Sequence, residues 1–204
     1  MASEIKANKI SPATGTAFTI GDSGDTFTVP SGATLNVASG GTISNSGTAS
    51  GLGGGKVLQI VQTVVSSITS TNSTSFVDLA GMTVDITPSA TTSKVLVLPT
   101  LQGGGAAFIW KITRDTTDIG IGDAAGSRNR GAFGSRDIDT AEMKSTSICY
   151  LDSPSSTSAV TYKIQYKCRV SGGGYARLNH DNADTDDAAY TRGCSTITVI
   201  EIGA

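Results

Sequence analysis

The sequence predicts an all-β fold in two parts: a short N-terminal β-repeat stalk, intertwined or solenoid-like, followed by a jelly-roll-like antiparallel β-sandwich. Three observations predict it. No segment carries the apolar periodicity of a helix. About eight or nine short β-branched or alternating runs are separated by Gly, Pro, Ser and Asn turns. Between Phe18 and Gly47 one short unit repeats, as FTIGDSGDT, FTVPSGAT, LNVASGGT and ISNSG. Each unit opens on an apolar residue (Phe18, Phe27, Leu35, Ile43), and Ile20, Val29 and Val37 follow two places on in the first three. A small polar turn closes each. Repetition at one interval marks stacked units that cannot bury their apolar residues alone. The interval is well below the ~20–50 residues of the common solenoids, and it suits rungs of one strand plus one turn.

Composition narrows the class. The chain has 204 residues, net charge −2 and only 16% charged residues. Soluble domains average ~25% charged, so Ser, Thr, Asn and Gly must carry this surface. A mean hydropathy of +0.01 leaves enough apolar content for a core. The length suits one ordinary domain plus an appendage. No run approaches the ~18 apolar residues of a membrane span, and the opening MASEIKANKISP has no apolar signal region. Neither nucleic acid nor membrane insertion is expected. Cys149, Cys168 and Cys194 form no CxxC pair, which argues against a disulfide framework or a zinc site. Cys168 falls on an apolar strand face and reads as a small buried hydrophobe.

Taken in order, residues 1–17 are polar and read as an extended segment that orders on docking. Residues 18–47 are the stalk, and the Gly-rich linker 48–55 is the best domain boundary. The head spans 56–204. Its expected strands are Lys56–Val65, Phe76–Leu79, Met82–Thr87, Lys94–Leu98, Ala106–Arg114, Ser145–Leu151, Val160–Val170, Tyr175–Leu178 and Thr191–Ile202. A polar loop fills Ser66–Ser75, a break falls at Ala80-Gly81, and Gly103–Gly105 separates two strands. KVLVL at Lys94–Leu98 is apolar on both faces, so both must be covered, and a neighbouring subunit is a natural cover for one. Phe108, Trp110 and Ile112 share a face. In Val160–Val170 one face is Val160, Tyr162, Ile164, Tyr166, Cys168 and Val170, and the other is polar and basic. Residues 115–144 lose periodicity and read as a long irregular insertion.

Several motifs invite chemistry. Gly21-Asp22-Ser23-Gly24 matches the nucleophile loop of trypsin-like proteases, but the one histidine, His180, lies far downstream, so a repeat turn is the better reading. GLGGGK at Gly51–Lys56 lacks the first glycine and the final hydroxyl of a phosphate loop and reads as linker. The acidic loop Asn179–Asp187 has no EF-hand glycine or closing Glu and reads as solvated rather than calcium-binding. The stripe Lys163, Lys167 and Arg169 reads as the solvent side of its strand. Arg128, Arg130 and Arg136, with Phe133 among them, are the better ligand contacts, since loops on a rigid scaffold carry recognition and Arg with an aromatic makes anchors. His180 and Asp184 in the second loop complete the contact candidates. No acid–base pair stands out, so no enzyme, catalytic residue, metal site or cofactor is expected.

The segments SEIKANKISPATGTAFTIGDSGDTFTVPSGATLNV, SFVDLAGMTVDITPSATTSKVLVLPTL, IGDAAGSRNR, LDSPSSTSAVTYKIQYK and CSTITVIEIGA resemble short tail-fibre-like virion proteins of marine and cyanobacterial phages. The resemblance covers most of the chain, and its motifs are strand edges and turns. It implies a homotrimeric virion protein, assembled in the host cytoplasm, with residues 1–17 attached to other virion proteins, a thin β-stalk and a distal sandwich head. The expected role is a tail fibre that attaches to a host-surface glycan or protein. The alternatives are a capsid-mounted fibre or decoration protein and, behind it, a glycan-degrading enzyme.

Overall fold

In the computed structural model, the residues described are 14–15, 20, 22–42, 44, 57–104, 108–135, 143–169, 174–181 and 183–203. The chain divides into two units, Met1–Ser50 and Gly51–Ala204. The linker 48–55 lies outside the described residues, as do most of 1–17, Lys56, Arg136 and Val170.

In the N-terminal unit, one turn recurs. Asp25 N donates to Asp22 O at 3.0 Å, Ala33 N to Pro30 O at 3.0 Å, and Gly41 N to Ala38 O at 2.9 Å. Gly24, Gly32 and Gly40 sit eight residues apart, each with φ between 82° and 95°, a left-handed conformation that glycine adopts without penalty. Asp22 N also donates to Asp25 Oδ2 at 2.8 Å, so Asp22-Ser23-Gly24-Asp25 is built as a turn, while Gly21 of the GDSG motif lies outside the described residues. Every described residue from Asp22 to Thr42 is exposed.

The second unit is all β, with no helix among the described residues. Its strands are β1 Val57–Val65, β2 Thr69–Thr71, β3 Val77–Ile86, β4 Lys94–Gly104, β5 Phe108–Arg114, β6 Thr117–Ile119, β7 Phe133–Gly134, β8 Met143–Ser147, β9 Tyr150–Asp152, β10 Val160–Cys168, β11 Ala176–Leu178 and β12 Ser195–Ile202. They form two antiparallel sheets. The large sheet runs β1-β12-β4-β11-β2, with β8 and β9 also on β4; the small sheet runs β3-β10-β5-β6, with β7 also on β5. Val95, Val97, Leu101, Ile197 and Val199 from the large sheet and Met82, Val84, Trp110, Ile112, Tyr162 and Ile164 from the small one share one core, giving a β-sandwich-like body.

β10 alternates buried and half-buried residues from end to end, as its sequence predicts. Phe108, Trp110 and Ile112 are all buried, and Trp110 Nε1 donates to Thr146 Oγ1 at 3.0 Å. Other expectations need correction. The break at Ala80-Gly81 is a bulge inside a continuous β3: Gly81 has φ 78°, and the extra residues keep Leu79 and Met82 on the same buried face. Gly103 and Gly104 do not separate strands but end β4, because a Cβ at Gly103 would meet the Phe108 ring at 2.5 Å. The single strand expected at Ser145–Leu151 is split into β8 and β9. The split faces Pro99 of β4, which has no N–H to offer a ladder. The polar loop Ser66–Ser75 contains β2, and the insertion 115–144 contains β6, β7 and the start of β8. For KVLVL, Val95 and Val97 are fully buried, while Leu96 and Leu98 point to the other face and stay half-exposed.

Two buried polar clusters join elements. Arg114 Nη1 lies 2.9 Å from both Asp152 oxygens, and Tyr162 Oη donates to Asp152 Oδ2 at 2.7 Å. Glu201, 1% exposed, accepts from Gln59 Nε2 at 2.6 Å and from Ser89 N and Oγ at 2.7 Å each.

Candidate functional site

The outward face of the small sheet is polar because the period of two sends Lys163, Gln165 and Lys167 of β10 and Lys111 of β5 away from the core. Most of its charges are matched. Lys163 Nζ lies 2.8 Å from Asp78 Oδ2, Gln165 Nε2 donates to Asp78 Oδ1 at 2.6 Å, and Lys111 Nζ lies 2.6 Å from Asp118 Oδ1. Those partners, first the Lys163 hydrogen bond, hold Asp78 below the usual carboxylate range. The Phe76 ring lies beneath Lys111 Nζ at 4.5 Å and Lys167 Nζ at 4.9 Å.

At one end of this face the 120–135 segment folds back on β5. Ala132 N donates to Trp110 O at 2.9 Å and Ser135 N to Phe108 O at 2.9 Å. Gly131 allows the approach, since a Cβ there would stand 2.9 Å from Ile109 Cγ2 and Trp110 O. Phe133 is half-buried against the core. Arg130 Nε donates to Gly122 O at 2.8 Å, which ties the loop to itself. Asn129 Oδ1 accepts from Lys167 Nζ at 2.6 Å, which ties the loop to β10.

Between loop and sheet lies an open cleft of about 470 Å³ lined by Ile109, Ser127, Arg128, Asn129, Gly134, Ser135 and Arg169. Arg114 and Arg192 hold carboxylates, Arg130 a carbonyl, and Arg177 stands 5.3 Å from the centre of the Tyr175 ring. The guanidiniums of Arg128 and Arg169 have no partner among the described residues, and both line this cleft. The structure thus brings together a loop candidate and a residue of the basic stripe, 41 positions apart. Sequence reasoning missed Asn129 and Ser127. A polar residue in a Gly-rich loop gives no signal of which strand it will meet.

The second group of candidates is arranged differently. Asp184 pairs with Arg192 through contacts of 2.7, 2.8 and 3.0 Å on the surface. His180 is 9% exposed, and its backbone pairs with that of Arg192 in an isolated antiparallel β-bridge. Burial, and after it the Arg177 charge, hold the imidazole below its usual pKa, against the opposing pull of Asp184. Asn179 beside it, with φ 62°, donates to Val65 O at 2.7 Å and Ser67 O at 3.0 Å, and accepts from Ser195 Oγ at 2.6 Å. Those bonds make the start of the acidic loop a structural joint. Among the described residues no group of three or more His, Cys, Asp or Glu side chains converges as a metal site. Arg136 lies outside the described residues.

The fold and the cleft together define an all-β, sandwich-like protein with an N-terminal β-turn repeat and a basic surface cleft. No protein-family model matches the chain, and comparison with curated proteins finds no match.

Proposed function

We propose that this protein is a virion structural protein: a homotrimeric phage tail fibre with a jelly-roll-like head that attaches to the host surface. One observation carries the reading. In the N-terminal unit Ile20, Phe27 and Leu35 are each 62% exposed and Val37 41%, between turns that recur every eight residues. A periodic row of aliphatic and aromatic side chains that its own chain leaves this exposed gains its cover when other chains pack against it. Three copies wound together supply that cover and give a thin, stiff spacer. Residues 1–17 are then the attachment to other virion proteins. On this reading the purified full chain runs as a trimer in light scattering, and a stable monomer refutes it. Deleting Phe27–Thr34 shortens the fibre by one repeat and leaves the melting of the sandwich unchanged; a head that unfolds with the deletion shows stalk and head to be one cooperative unit.

Host contact is assigned to the cleft of Arg128 and Arg169. Two guanidiniums without carboxylates, beside Asn129 and Ser127, suit an anionic group carried on a hydroxyl-rich surface glycan. Replacing both arginines by Glu is expected to lower labelling of host cells at least about tenfold, as for the loss of ~1.5–3 kcal/mol in charge-assisted hydrogen bonds. Unchanged labelling places host contact elsewhere.

A further inference from the structure

From the outward face of the large sheet we infer that this face is a contact between copies of this chain. The inference deepens the trimeric reading above but rests on different residues. Strand register aligns Ile60 of β1 with Ile200 of β12, Ile200 with Leu96 of β4, and Leu96 with Leu151 of β9. Residues directly opposite in a sheet point to the same side, so these four aliphatics form one unbroken row across four strands. Val57 and Ile202 form a pair on one side of the row. On the other side Leu98 opposes Thr198, and Val64 opposes Thr196. Ile60 is 61% exposed, Val57 57%, Val64 56% and Leu151 54%.

The inward residues of the same strands, among them Val95, Val97, Ile197 and Val199, are fully buried. An antiparallel sheet with one wet face alternates apolar inside with polar outside. The small sheet obeys that rule, with Asp78, Lys111, Lys163 and Lys167 on its outer face. Across β1, β4, β9 and β12 the outward side of the large sheet carries these aliphatics with Gln62, Thr100, Gln102, Thr196 and Thr198 among them, and its described charge is Lys94 at the margin, hydrogen-bonded to Ser153. Inside that margin the surface is uncharged, and its one exposed amide on β1, Gln62, already donates to Thr198 Oγ1 at 2.7 Å, so it offers little to a charged ligand. It is the surface one sheet presents to another at ~10 Å spacing.

A second copy is the occupant for two reasons. The N-terminal repeats already require several chains side by side, and β1 is the first strand that follows them in sequence. Tethered in this way, the sandwiches meet at an effective concentration in the millimolar range. The second reason is size. Four strands at ~4.8 Å spacing and about eight residues at ~3.3 Å rise give roughly 500 Å² of face. That falls short of the ~800 Å² per partner of a stable standalone interface, and it is adequate for chains already joined elsewhere. Closing the face also covers the outward Ile60 and Val64 of β1, the strand at the end of its sheet.

The test is full-length protein carrying Ile60→Glu and Leu151→Glu, with dissociation followed by analytical ultracentrifugation over a dilution series and folding by circular dichroism. Both positions are more than half exposed, so a single chain accommodates the charges. Val64→Ser with Leu151→Ser is the milder pair should the glutamates disturb folding, and Thr83→Glu on the small sheet is the control. The inference expects the glutamate pair to shift dissociation to at least about hundredfold higher concentration, the serine pair to shift it in the same direction, and Thr83→Glu to leave it in place. If the wild type assembles and neither pair shifts its dissociation, the face is free and the inference fails while the trimeric reading stands. If the wild type is monomeric at all concentrations, both fail, and the face is left to a different protein.

Discussion

Replacing Asp152 by alanine is expected to destabilise the sandwich by about 3–5 kcal/mol, as for loss of one partner from a buried ion pair. Asp152 is 6% exposed on β9, and it is the shared acceptor for Arg114 of β5 and Tyr162 of β10. It therefore joins the two sheets with one carboxylate. Removing it orphans the hydroxyl of Tyr162, a fully buried residue, and leaves Arg114 with the Ser153 carbonyl at 3.3 Å. Asp152→Asn keeps an acceptor for Tyr162 and loses only the charge, so it costs less, about 1–2 kcal/mol. Tyr162→Phe alone costs about 1 kcal/mol. In the double variant Asp152→Ala with Tyr162→Phe no hydroxyl is orphaned, so its cost falls below the sum of the singles. Urea midpoints at one protomer concentration and unchanged slope measure all four. A single Asp152→Ala cost below ~1 kcal/mol, or strict additivity in the double variant, would show that the carboxylate does not couple the sheets. The phenol gives a second readout. Burial first, then the hydrogen bond and charge of Asp152, raise the Tyr162 pKa far above its usual value. The stability it contributes is complete below the ordinary phenol pKa and is lost as pH rises past about 10.

The parts of this fold legible in the sequence are those in which one strand carries its own evidence. β10 shows a period of two over nine residues, and no neighbour is needed to read it. Phe108, Trp110 and Ile112 declare a face in the same way. What the sequence hides is pairing. β2 is three residues and β7 is two; they exist because β11 and β5 offer edges, not because their residues prefer strand. Gly103 and Gly104 read as a breaker because a glycine's local freedom is visible, whereas the Phe108 ring that excludes a side chain there is not. Asp152 falls just past the expected strand Ser145–Leu151, and its two partners lie 38 and 10 positions away. The cleft was half legible. Arg128 stands out as a loop arginine, but Arg169 joins it only through the way the loop returns along β5. KVLVL was legible in full as chemistry: its second face is aliphatic, and the chain itself leaves that face half-exposed.

Glu201→Gln is expected to cost about 2–3 kcal/mol at neutral pH and progressively less as the solution is acidified. Burial alone would raise the Glu201 pKa. The hydrogen bonds from the Gln59 amide and from the Ser89 side chain and backbone outweigh it, and bring it from 4.5 down to about 2. A folded-state pKa below the unfolded one means that the unfolded chain binds the proton more tightly. The stability from this carboxylate is therefore complete above about pH 4.5 and is lost as pH falls from there towards 2. The Gln variant has no proton to bind and presents an amide N–H₂ where Ser89 N and Oγ or Gln59 Nε2 need an acceptor. Its penalty is largest where the wild type is ionised and smallest where the wild type is protonated. Asp78, held low by Lys163 and Gln165 on the surface, titrates in the same direction, so Asp78→Asn is the control that separates a half-exposed pair from a buried one. Urea midpoints at pH 7, 5, 4 and 3 give the curves. The wild-type and Glu201→Gln midpoints should converge between pH 4.5 and 3, while Asp78→Asn runs nearly parallel to the wild type throughout. A Glu201→Gln difference that stays constant from pH 7 to 3 would mean that the three hydrogen bonds do not discriminate the carboxylate from its protonated form. The joint between β1, the turn before β4, and β12 would then be held by packing rather than by charge.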